Sequence, residues 1–292
     1  MYKHTIMYRI SPLAFLLFAV CAQAVDLRVS VGDLEDRRST GEHFNRLEVK
    51  LKLSGGDLAQ GKAVKVDVSK AVDDTGRDLL KNDDSFFRDE YKPIELSNPD
   101  RFEISLDLKN PARKAANVAE LSGTLSVLLP DSDPSAVVTL ENYPALSAKP
   151  ITNATLKSAS IEMRLFGKGD NAKLKEESRA LRAADRKAKG GGLSGWLKDA
   201  VGDVFADTLT GGFGSDDDIS FLIQDPQKRI VKIEFADHDG KEIRRNGSWR
   251  SAKSQGYSFR GGLPPDAKIR VYLSTEKSLI KLPFQFKSIE LP

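Results

Sequence analysis

Asn45 to Gly55 reads NRLEVKLKLSG, and its side chains alternate without a break. Leu47, Val49, Leu51 and Leu53 fall on one face; Glu48, Lys50 and Lys52 fall on the other. Successive side chains of an extended chain point to opposite faces, so this period of two specifies a half-buried strand and is incompatible with a helix. The pattern recurs. KAVKVDVSK repeats it with Val64, Val66 and Val68, and RFEISLDLKN with Phe102, Ile104, Leu106 and Leu108. SGTLSVLLP and AVVTLENYP follow, separated by the turn residues PDSDPS. Short strands separated by turn chemistry, with no helical period between them, indicate antiparallel sheets packed face to face.

The second half continues in the same manner. Ile161, Met163 and Leu165 alternate, as do Ile219, Phe221 and Ile223. RIVKIEFADHDGKEIRRN reads as a hairpin turning on Asp239-Gly240. KIRVYLS and SLIKLPFQFKSIELP supply the last strands. In the latter, Phe284 and Phe286 share a face and Ile289 and Leu291 share another, so the sequence predicts a bulge near Lys287 and Ser288. The fold class expected is mainly β: two immunoglobulin-like antiparallel β-sandwich domains, at residues 25–148 and 149–292, with a helical-hairpin insertion in the second at about 170–212.

That insertion breaks the pattern. Residues 171–189 are strong helix formers without proline or glycine. Gly190 to Gly192 interrupt them, and a second helix is expected from Ser194. Its apolar residues Leu193, Trp196, Leu197, Ala200, Val201, Val204, Phe205 and Leu209 are spaced by threes and fours onto one face, before Gly211-Gly212 ends it. Such a face can cover a sheet as a satellite core, or dock a protein partner or a second copy through Trp196, Leu197, Val201, Val204 and Phe205. The acidic balance of this helix, Lys198 against Asp199, Asp203 and Asp207, opposes binding to an anionic membrane.

Residues 1–24 have the three-part pattern of a secretory leader: Lys3 and Arg9, an apolar run from Leu13 to Cys21, then Ala22-Gln23-Ala24. A periplasmic or extracellular location is therefore expected. Cys21 is the one cysteine, so cleavage after Ala24 removes disulfides, thiolate chemistry and Cys-ligated zinc together. Loss of Lys3 and Arg9 also lowers the formal charge from +3 to +1, which does not suit a general polyanion binder, and no nucleic acid is expected as a partner. The leader's apolar run is too short to span a bilayer as a permanent anchor, and no stretch of about eighteen apolar residues follows it.

The chain contains no P-loop, nucleotide fingerprint, GxSxG or HExxH. His43 and His238 lie in loop-like runs, and two histidines make no triad or multi-histidine zinc site. DDTGRD (Asp73 to Asp78) and DHDGKE (Asp237 to Glu242) resemble parts of a calcium loop without completing one, and turn chemistry accounts for their residues. No catalytic residue, cofactor or metal is assigned. Asn153-Ala154-Thr155 and Asn246-Gly247-Ser248 match the glycosylation sequon and are read as chance matches. RRNGSWRSAKSQGYSFRGG combines Trp249, Arg250 and Tyr257, which could stack on a sugar if they faced outward. The opposing reading places the aromatics inward and the arginines outward.

LKNPARKAANVAELSGTLSVLLP and LPFQFKSIELP resemble segments of uncharacterised secreted bacterial proteins built from immunoglobulin-like sandwiches. The resemblance implies a fold and no activity, and it carries over no functional residue. The function expected is non-enzymatic binding or scaffolding outside the cytoplasm. The alternatives are a carbohydrate-binding module using Trp249, Arg250 and Tyr257, and a glycan-processing hydrolase with a carboxylate pair drawn from distant strands.

Overall fold

Leu47, Val49, Leu51 and Leu53 are fully buried, and the residues between them are half-buried, as their alternation requires. The computed structural model describes residues 26–39, 45–81, 91–94, 101–167, 170, 218–250 and 254–292. Within these the chain is mainly β. Its strands in order are β1 (Arg28–Arg37), β2 (Arg46–Ser54), β3 (Ala63–Asp73), β4 (Lys92–Pro93), β5 (Arg101–Leu108), β6 (Asn117–Leu128) and β7 (Val137–Leu140). There follow β8 (Glu162–Phe166), β9 (Ile219–Gln224), β10 (Ile230–Ala236), β11 (Gly247–Arg250), β12 (Ser254–Ser258), β13 (Lys268–Leu273) and β14 (Leu279–Glu290). Two short helices, α1 (Tyr143–Leu146) and α2 (Ala154–Ser158), lie between β7 and β8. The expected helical hairpin and its stripe, Trp196, Leu197, Val201, Val204 and Phe205, lie outside the described residues.

The strands form four sheets, ordered β1-β2-β5, β14-β6-β3-β4, β10-β13-β7 and β11-β12-β9-β8, with antiparallel ladders throughout. The first two sheets enclose one core, built from β2, β5, β3 and β6 and closed by Phe284 of β14. The last two enclose another, to which Val138 and Leu140 of β7 contribute beside Ile233, Phe235, Ile269 and Val271. Each pair is consistent with a β-sandwich.

The strand pairing does not follow the expected division at residues 148 and 149. The chain enters the second sheet pair already at β7, whose Val137 to Leu140 ladder onto β13. It then leaves that pair after β13, and β14 runs along β6 in the first pair from Leu279↔Leu128 to Glu290↔Asn117. The two crossings lie side by side. Thr275 Oγ1 donates to Asp133 Oδ2 at 2.6 Å, and the Leu129 amide donates to the Ser278 carbonyl at 2.8 Å. Hydrogen bonds from Thr275 and Ser135 hold the Asp133 carboxyl below its ordinary value. Local sequence patterning cannot select such a partner for β14, because backbone donors and acceptors are the same along any strand.

The expected bulge near Lys287 also takes a different form. The β14–β6 register does not shift. Instead Ser288 adopts a left-handed conformation, φ 53°, and the ladder resumes at Ile289↔Val118 beyond Lys287↔Glu120. Val118, opposite Ile289, lies in the core as Leu121, opposite Phe286, does, so both strands change face at the same point and their register survives.

Gly123, half-buried between the core residues Leu121 and Leu125, shows why β6 carries a glycine there. It lies between Phe284 of β14 and Val68 of β3, beside the β3 irregularity between Val68 and Lys70. A Cβ there would stand 2.3 Å from the Asp67 carbonyl oxygen and 3.0 Å from the Val68 Cα. Backbone at that distance cannot swing aside as a side chain can. Gly123→Ala is expected to cost about 3 kcal/mol, read as a lowered urea midpoint at unchanged m-value.

The two sheet pairs meet through Ala63, Leu128, Val231 and Tyr272, flanked by Tyr91, Val137 and Leu279. A buried carboxylate lies on the same face of β10 and β13. Glu234 accepts hydrogen bonds from Lys232 Nζ at 2.9 Å, the Tyr272 hydroxyl at 3.1 Å and Arg270 Nη1 at 3.3 Å. Burial alone would raise its pKa, but Lys232, Lys62 and Tyr272 together hold it below the ordinary glutamate value. Burial, then the charge of Glu234, pushes the Tyr272 phenol upward. This paired cluster is a fixed part of the junction.

Candidate functional site

The segment between β7 and β8 folds back along the outer edge of β8. Asn153 starts α2: its Oδ1 accepts from the Thr155 amide at 2.8 Å and the Leu156 amide at 3.2 Å. This capping is the structural role of an asparagine that also fits a sequon. Leu156 is buried in the second core and anchors the helix. Ser160, at φ 57°, then reverses the chain into β8. The Ile151 amide donates to the Met163 carbonyl at 2.9 Å and the Ala148 amide to the Leu165 carbonyl at 2.8 Å. Part of the β8 edge is thereby paired, which protects it from pairing with other chains.

A groove of about 870 Å³ remains between this segment and the far ends of β8 and β9. Pro150, Ile151, Ile161, Met163 and Pro226 give it apolar walls, while Lys157, Arg164, Glu162 and Gln224 supply polar groups. Glu162 and Gln224 are cross-strand partners. Among the described residues no donor reaches the buried Gln224 Oε1 or the buried Asp225 Oδ1, although Asp225 Oδ2 accepts from the Ile230 amide at 2.7 Å. Asp225 is not among the groove's lining residues, and both of these oxygens are sealed from solvent. Sequence reasoning did not find the groove, since its walls come from residues 150–164 and 224–226, each bland by itself.

The three residues expected to bind a glycan are divided between two faces of the fourth sheet. Tyr257 is 1% exposed and packs edge-on against Phe221 and Phe235, with ring centroids 6.1 and 4.8 Å away. Burial raises its phenol pKa. Tyr257 therefore cannot form a stacking platform with Trp249, and that expectation is corrected: alternation along β12 points it into the core. Trp249 is half-buried on the opposite face, against Gly256. A Cβ on Gly256 would stand 2.1 Å from the indole Nε1, so the glycine makes room for the ring. Arg250 is exposed at the end of β11. The inward-aromatic reading of this stretch describes Tyr257 and Phe259, and the lone glycine in SQGYS is the signal that marks the position of Trp249.

The acidic turns are internally bonded. Asp73 Oδ1 accepts from the Thr75 amide at 2.9 Å, the Thr75 hydroxyl at 2.7 Å and the Arg77 amide at 2.9 Å. Its Oδ2 accepts from the Ala112 amide at 2.8 Å. Asp237 Oδ1 accepts from the Lys241 amide at 2.9 Å. His238 is exposed beside Asp239 and Asp266. Among the described residues, no group of three or more His, Cys, Asp or Glu is placed to hold a metal ion, and no helix is long and apolar enough to cross a membrane. His43 lies outside the described residues.

No protein-family model matches the chain, and no curated protein or solved structure matches it either.

Proposed function

We propose that this chain is a non-enzymatic binding or scaffolding protein that works outside the cytoplasm. Its two sheet pairs are immunoglobulin-like sandwiches, with a helical hairpin inserted between β8 and β9. The leader pattern in residues 1–24 supports the location. The observation that carries the binding role is the groove beside β8. It combines apolar walls with convergent polar groups, as ligand sites do, and it is held by a capped helix and a partly paired strand edge. Among the described lining residues Glu162 is the one carboxylate, whereas a glycosidase of the usual kind uses a pair.

The test uses the mature chain and a groove-filling variant, Ala154→Trp, at an exposed lining position. Both proteins are screened against immobilised peptide and glycan arrays. A ligand of the groove binds the wild type and loses at least about tenfold in affinity with the variant, equivalent to about 1.4 kcal/mol. Equal binding by both proteins, or retention of no array member, overturns the groove as the site. Turnover of any glycan by the wild type overturns the non-enzymatic reading.

A further inference from the structure

The second sheet pair is built from consecutive strands, and the first is not. The sheets β10-β13-β7 and β11-β12-β9-β8 are made only of β7 to β13, whereas the first two sheets take β1 to β6 and then β14. The cores divide in the same way. The second core draws its buried residues from Val138 to Leu273, and the first from Leu27 to Leu129 with Phe284. Among the described residues none is shared between the two.

β6 and β14 are antiparallel neighbours, and their ladder runs up to Leu128↔Leu279. Strands related in this way are ordinarily joined by a hairpin loop of about two to five residues. Here the whole second pair stands in place of that loop. Its two ends are held together at the crossings, where the Leu129 amide meets the Ser278 carbonyl and Thr275 Oγ1 meets Asp133 Oδ2. Each crossing is a turn fixed by its own hydrogen bonds. Asp133 Oδ1 accepts from the Ser135 amide at 2.9 Å, and the Thr275 amide donates to Ser278 Oγ at 2.9 Å.

We infer that the second sheet pair is an autonomous domain inserted into the β6–β14 hairpin, and that its folding brings β6 and β14 together. Its ladders and its core take no described residue from outside Val137 to Leu273. The first pair, by contrast, needs the last strand of the chain. While the insert is unfolded, pairing β14 with β6 closes a loop of about 150 residues. The entropic cost of closure grows as the three-halves power of loop length, so pairing is disfavoured on the order of a hundredfold relative to a short hairpin. The folded insert removes that cost by setting Leu129 beside Ser278. The buried cluster between the two domains is small, Ala63, Leu128, Val231 and Tyr272, so their coupling runs mainly through chain connectivity. The groove beside β8 lies wholly within the insert, and the first pair is the frame that carries it.

The experiment refolds the full mature chain from urea and follows backbone amides by pulsed hydrogen exchange with mass spectrometry. The expected result is that peptides of β9, β10 and β13 become protected several-fold sooner than those of β2, β5, β6 and β14. Two core variants then test the dependence. Phe235→Ala, in the core of the insert, delays both sets of peptides. Leu125→Ala, in the first core, leaves the rate of the β9, β10 and β13 set unchanged. Should either variant fail to refold, the order in the wild type still decides the matter. Protection of both sets in one phase, or of the first pair ahead of the insert, overturns the inference. A Phe235→Ala protein in which only the insert is delayed also overturns it, because the first pair would then close without the folded insert.

Discussion

Truncation of the chain after Ser278 unfolds the first sheet pair, although that pair is otherwise built from residues before Leu129. β14 is 12 residues long and ladders along the full length of β6. Phe284 lies in the first core, and Ile280, Leu282, Phe286 and Ile289 pack against it. At about 1.5–3 kcal/mol for a fully buried large apolar side chain, and less for those half-buried, the loss is on the order of 5–10 kcal/mol. That equals the whole stability of an ordinary domain. The truncation also strips β6 of its partner and leaves a long apolar edge open to other chains. For the same reason, residues 25–148 expressed alone are expected to aggregate or remain unfolded. Circular dichroism and size-exclusion chromatography of the two proteins check this. A soluble, cooperatively melting 25–148 fragment would contradict it.

Replacement of Asp73 by alanine is the side-chain deletion with the largest expected effect. This buried carboxylate accepts four hydrogen bonds, from Thr75 twice, Arg77 and Ala112, and so ties the turn after β3 to the segment entering β6. Asp73→Ala removes the acceptor from all four donors. The expected loss is about 3 kcal/mol, or roughly 6–12 °C in melting temperature. The pH dependence follows from the direction of the pKa shift. Burial pushes the Asp73 carboxyl upward, but the bonds from Ala112, Thr75 and Arg77 together outweigh it, and the native value lies below the ordinary 3.8. A depressed native pKa gives stability that is complete above the unfolded value and is lost as pH falls through the native one. The gap between wild type and Asp73→Ala is therefore widest at neutral pH and closes below about pH 4. Denaturant titrations at neutral and acid pH measure both. A gap that persists undiminished in acid would show that the carboxylate charge is not what the four donors require.

Much of the fold was legible from alternation alone. Leu47 to Leu53, Ile104 to Leu108, and Met163 with Leu165 are buried on the faces their spacing assigns. The turn at Asp239-Gly240 is present, with Gly240 at φ 86° and Ile243 bonded back to the Phe235 carbonyl at 2.7 Å. The strand expected after it reduces to an isolated bridge between Ala236 and Glu242, because the partner of β10 is β13. Less of the site was legible. Tyr257 and Trp249 read as one aromatic cluster in sequence, but they are eight positions apart on two strands and face opposite sides of the sheet. The groove gave no signal, since its residues are ordinary until α2 and the end of β9 are brought together.

The sequence by itself determined which residues turn inward, because an extended chain alternates its side chains and water penalises exposed apolar ones wherever the strand ends up. Tertiary structure alone decided which strands are neighbours. Backbone donors and acceptors are identical along every strand, so nothing local tells β14 to pair with β6 or β7 with β13. Those choices were made by the shapes of two cores and by the paired crossings at Asp133 and Thr275, which place distant stretches of the chain side by side.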